Sequence, residues 1–94
     1  MGKIGESRHE AIEHEILGEK AAALGRGGRR VEAVLAALGN AAGEEREAVL
    51  DEAARTVWGF LVQRELLGLR DRERVIAHYA IPTEVLNRMG AIKP

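Results

Sequence analysis

The chain has 94 residues, 46% hydrophobic, 3% aromatic and 31% charged, with no cysteine and a formal net charge of −1. A chain this long predicts one domain, residues 1–94, burying about 60–65% of its unfolded surface. The near-zero charge argues against bulk attraction to nucleic acid or an anionic membrane, and the lack of cysteine excludes disulfides and thiolate chemistry.

Abundant Ala, Leu, Glu and Arg with few strand formers predict an all-α fold. No apolar run approaches the ~20 residues of a membrane span. The opening MGKIGESRHE lacks the apolar core of a signal peptide. A myristoylation signal at Gly2 would want Ser or Thr where Glu6 stands. The expectation is a soluble cytoplasmic protein.

Residues 1–6 hold two glycines and no periodicity, and predict a frayed tail. Ser7-Arg8-His9-Glu10 has the form of a capping box, so a helix is expected to open at Ser7. Gly25, Gly27 and Gly28 then pull in two directions. Each should cost ~1 kcal/mol against alanine inside a helix, which predicts a break. Phase predicts continuity. Leu17, Leu24, Val31 and Leu38 recur every seven residues, and Ala21, Gly28 and Leu35 take the companion positions. The favoured reading is one helix from Ser7 to Leu38, with the glycines admitting the close approach of another backbone. A kinked or broken helix is the alternative. Gly39 is the expected terminator and residues 40–43 a short hairpin connection.

The chain is organised around Glu44–Leu69, which predicts a second long helix with acids at its positive end. Leu50, Ala53, Ala54, Val57 and Leu61 line one face. Trp58, Phe60 and Val62 widen the apolar arc to roughly 220°, where an ordinary surface helix shows a stripe of ~100° or somewhat more. Such a helix needs neighbours on at least two sides, from its own chain or from a second copy.

Gly68 is expected to end this helix. Asp71 is the candidate cap of a third, Arg72–Tyr79, with Val75, Ile76 and Tyr79 inward. Pro82 breaks it and suits the start of a fourth short helix that Gly90 closes, with Val85, Leu86 and Met89 inward. Residues 91–94 predict a tail. The segment Tyr79-x-Ile81-Pro82-x-Glu84-Val85-Leu86, with the long Ala/Glu-rich helices before it, resembles a family of short bacterial all-helical proteins described as a domain of unknown function. The resemblance covers about two-thirds of the chain. It implies a helical fold and supplies no catalytic residues.

Candidate chemistry is sparse. His9, Glu10, Glu13 and His14 have the residue types of a metal site. The two His lie one residue too far apart for the zinc-protease helix, which puts the imidazoles about 140° apart. A solvated face of i,i+4 pairs is the favoured reading. Gly25-Arg26-Gly27-Gly28-Arg29-Arg30 lacks the Lys-Ser/Thr ending and the strand context of a phosphate loop. Val75–Met89 has the form of a helix-turn-helix with Arg70, Arg72, Arg74 and Arg88 nearby. Its outward residues Thr83, Glu84, Asn87 and Arg88 carry little phosphate-binding charge, so a corner folded onto the central helix is favoured. Arg64 is placed to lie against Phe60, and Glu65 to pair with Arg70 or Arg72 across the Gly68 turn.

The expected architecture is two long helices in an antiparallel hairpin with two short C-terminal helices folded back on it. The expected role is a non-enzymatic, self-associating protein-interaction module without metal or cofactor. A DNA-associated regulator using residues 75–89 is the alternative, and a metal-dependent enzyme the weaker one. A homodimer is expected to use Leu17, Leu24, Gly28, Trp58, Phe60 and Val62, with an acidic first half of the first helix set against a basic stretch at Lys20, Arg26, Arg29 and Arg30. The rival reading places Arg29 and Arg30 near Asp51 and Glu52 within one hairpin, which needs no second chain but leaves the extra apolar arc uncovered. An unidentified protein partner is expected, and no membrane.

Overall fold

A computed structural model describes the backbone of residues 2–92 and the side chains of residues 11–90. Four helices follow in order: α1 (Gly2–Asn40), α2 (Gly43–Leu66), α3 (Arg72–His78) and α4 (Thr83–Ile92). The fold is all-α, a hairpin of α1 and α2 with α4 packed against α2.

α1 is continuous through the glycines, as its heptad phase requires. It starts at Gly2, so Ser7 lies within the helix instead of capping it, and it runs past Gly39 to Asn40. Once a helix is nucleated, extending it by a turn costs little, so a capping pattern inside one need not start it. The side chains of Ser7, His9 and Glu10 lie outside the described residues.

Residues 41–42 link the long helices. Ala42 is extended, and Gly43 turns the chain with φ +63°. α2 opens with Glu44 and Glu45, which favour the positive end of the helix dipole. Its five expected core positions, Leu50, Ala53, Ala54, Val57 and Leu61, are all buried. From α1 they meet Val31, Val34 and Leu38, and from the C-terminal part Val75, Ile81, Val85 and Met89.

Both α2 and α3 end in a Schellman motif, in which two backward amide bonds satisfy the last free carbonyls. After α2, Gly68 N–H donates to the Glu65 carbonyl and Leu69 N–H to that of Arg64. Gly68 takes φ +84°, which a residue without Cβ adopts cheaply. After α3, Ala80 N–H donates to the Ala77 carbonyl and Ile81 N–H to that of Ile76. Here the left-handed position is Ala80, at φ +50°. The Pro82 carbonyl then accepts from the Val85 and Leu86 amides, starting α4 one residue later than expected. α4 continues through Gly90 to Ile92.

The two long helices differ in length, with 39 residues in α1 and 24 in α2. At 1.5 Å per residue α1 outruns its partner by roughly 20 Å. Gly27 faces Phe60 and Gln63, so the end of α2 lies near Ala22 of α1. Residues 11–22 are exposed throughout. The molecule is a rod of 66 × 23 × 22 Å, one end of which is a single helical arm.

Candidate interaction surface

Gly27 and Gly28 of α1 receive aromatic rings, where a second backbone was expected, while Gly25 meets only the Arg29 side chain. A Cβ on Gly27 would stand 2.7 Å from Phe60 Cδ1, and one on Gly28 would overlap the Tyr79 hydroxyl. Both glycines are buried. Phe60 and Tyr79 meet edge to face, their centroids 5.6 Å apart at 90°, and the His78 ring also meets Tyr79 edge to face, at 4.8 Å. Edge-to-face pairs set the positive rim of one ring on the negative face of the other. The Arg64 guanidinium lies 5.6 Å from the Phe60 centroid, as the one-turn spacing predicts.

Across the Gly68 turn the ion pair is made by Arg64, and the expected pairing of Glu65 with Arg70 or Arg72 is not formed. Arg64 donates to Asp71 through Nε (3.1 Å) and Nη2 (2.5 Å), and the Asp71 side chain makes no cap bond to α3. A charge-assisted bidentate pair outweighs a bond to a neutral amide. That hydrogen bonding holds the Asp71 carboxyl below the usual range and raises Arg64 above its own.

α4 is clamped to α2 in the same manner. Arg46 makes a bidentate pair with Glu84, and Arg88 bridges Glu47 (2.7 Å) and Asp51 (2.5 Å). The pairing lowers the Glu84 carboxyl and raises both arginines. Two of the four outward residues of the candidate recognition helix, Glu84 and Arg88, are therefore engaged with α2. Thr83 and Asn87 are not held in this way. Within Tyr79-x-Ile81-Pro82-x-Glu84-Val85-Leu86, Tyr79 lies on Gly28, Ile81 and Val85 are core, Pro82 starts α4, and Glu84 anchors it. This motif builds the fold.

The expected interface residues divide. Phe60 and Gly28 are covered by their own chain, so part of the broad apolar arc of α2 is satisfied within one copy. Leu24 and Trp58 are half-buried against the core, and Val62 is half-buried. Leu17 is 61% exposed on the arm, beside Ile12 and Ile16, which sequence reasoning passed over. Their signal was present: three large apolar residues in the acidic half of α1. Leu66 and Leu69 are exposed where α2 ends, so the exposed large apolar residues gather at the arm end of the rod.

Charge is the other feature of this surface. The hairpin does not make the expected pairing of Arg29 and Arg30 with Asp51 and Glu52, and its register sets Arg30 beside Arg55. The two arginines line one groove of about 370 Å³ with Gly27, Thr56, Gly59, Phe60 and Gln63, and no carboxylate lines it. Asp51 pairs with Arg88 instead. Among the described residues no group of three or more His, Asp or Glu is placed to hold a metal, and no helix is long and apolar enough to cross a membrane. Glu13 and His14 are exposed on the arm.

No curated protein and no solved structure matches the chain. One family model does, over residues 4–94, which extends beyond the C-terminal motif to nearly the whole hairpin. The chain belongs to the family of unknown function DUF6665.

Proposed function

We propose that this protein is a non-enzymatic, self-associating helical module whose working species is a homodimer. The arm carries the reading. Residues 11–22 continue the helix beyond its intramolecular partner and leave Ile12, Ile16 and Leu17 in water, at 50%, 45% and 61% exposure. A single helix of this kind is marginal in water, because tertiary packing of an apolar face supplies most helical stability. The arm also contains Gly18, whose Cβ position is open space, so no contact among the described residues explains a glycine there. A second chain supplies the missing neighbour. The proposed setting is the cytoplasm, and the helices of the dimer are the proposed surface for a further protein partner.

Light scattering after size exclusion, at tens of micromolar protein, tests the reading. The expected mass is twice the 10.2 kDa of one chain. A mass near 10.2 kDa overturns it. Ile12→Asp with Ile16→Asp should return the protein to one chain without unfolding the hairpin, since both side chains lie outside its core.

A further inference from the structure

On that reading, we infer that the second copy lies antiparallel along the outer face of α1, with its two-fold axis between Ala22 and Ala23, Glu15 of one copy against Arg30 of the other, and Glu19 against Arg26. The argument begins with spacing. Glu15, Glu19, Arg26 and Arg30 follow one another at four, seven and four residues, which keeps them on one helical face. They are exposed and enter no ion pair among the described residues. The face is acidic before Ala22 and basic after Ala23, so only an antiparallel copy sets each carboxylate against a guanidinium. A parallel copy sets like against like.

Distance along the helix gives a second condition. Glu15 precedes the proposed axis by as much as Arg30 follows it, and Glu19 and Arg26 are likewise symmetric. One register therefore satisfies both pairs, and the two-fold axis repeats them. It also brings Ile12 of one copy onto Ala33 of the other, covering an exposed apolar side chain. The overlap from Ile12 to Ala33 is about 32 Å of paired helix at 1.5 Å per residue.

The groove beside this face supplies a third, independent observation. Arg30 and Arg55 converge on it with no carboxylate in its lining. A lining with two cations and no carboxylate favours an approaching anion. In this register the Glu15 carboxylate of the second copy arrives at that mouth.

Two measurements test the register separately from self-association. Glu15→Arg with Glu19→Arg, and in a second variant Arg26→Glu with Arg30→Glu, should each weaken the dimer on the order of tenfold or more, because every exposed pair is replaced by repulsion. Mixing the two variants should restore a heterodimer. The chain has no cysteine, so Ala22→Cys introduces a single thiol. A short bismaleimide should join two copies through it, whereas Ala36→Cys, exposed but remote from the axis, should stay unlinked. A dimer that survives both reversals, or that links at Ala36→Cys and not at Ala22→Cys, overturns this register and leaves self-association standing. A single-chain mass for the unaltered protein overturns both.

Discussion

Replacing Gly28 by alanine sets two effects of opposite sign on one atom. In an open helix position the exchange should stabilise by ~1 kcal/mol, because glycine has more backbone freedom to lose on folding. At Gly28 the new Cβ would overlap the Tyr79 hydroxyl and stand 3.2 Å from Tyr79 Cζ. Forcing a ring aside in a packed region costs about 1–3 kcal/mol. The net is a loss of up to ~2 kcal/mol, or roughly 4–8 °C in Tm per kcal/mol for a domain of this size. Gly25 is the internal control, three residues away on the same helix. Its Cβ would meet only Arg29 Nη1, at 3.5 Å, so Gly25→Ala should raise stability by ~1 kcal/mol. Tyr79→Phe removes the overlapping oxygen, so Gly28→Ala should cost at least ~1 kcal/mol less in that background. Thermal unfolding followed by circular dichroism reads all five proteins, the parent included, at one fixed concentration because association shifts Tm. Equal stabilisation by Gly25→Ala and Gly28→Ala would refute the placement of the Tyr79 ring. Loss at Gly28 without coupling to Tyr79→Phe would refute its cause.

Three further outcomes follow from the same geometry. Leu61→Ala, at a position 4% exposed, should cost ~2–5 kcal/mol, while Leu69→Ala, 37% exposed, should cost much less in urea titrations; equal losses would mean the buried face is misassigned. The two Schellman ends make a matched pair: Ala80→Gly should stabilise and Gly68→Ala destabilise, each by ~1 kcal/mol, and an Ala80→Gly variant weaker than the parent would sink that reading. Asp71 and Glu84 have lowered pKa values, chiefly through hydrogen bonds from Arg64 and Arg46, so their contribution is complete above the ordinary carboxylate range and is lost as pH falls through the lowered values. Tm should therefore begin to fall below about pH 4–5, and less steeply in Asp71→Asn with Glu84→Gln; an identical acid slope in that variant would count against both pairs.

Local pattern determined a large part of this molecule. The seven-residue recurrence from Leu17 to Leu38 settled the continuity of α1 against the propensity of its glycines, because a break of arbitrary length would not preserve phase. The 3-and-4 spacing of Leu50, Ala53, Ala54, Val57 and Leu61 identified the buried face of α2, since a helix advances 100° per residue whatever lies around it. Gly68 and Pro82 located turns through backbone sterics alone.

Tertiary structure decided which group came to each prepared face. The glycines announced a close approach, but only the return of α3 showed that Tyr79 makes it, with Phe60 from α2 beside it. Arg64, and not Glu65, made the ion pair across the Gly68 turn, and Arg88 took the Asp51 expected near Arg29 and Arg30. These pairings join residues up to 37 positions apart. They depend on the register of the hairpin and the angle of the corner at Ala80, quantities that no window of sequence contains. The exposed arm belongs to the same class. Its apolar and charged residues are legible one by one, yet only the point where α2 stops shows that no described residue of that helix lies against them.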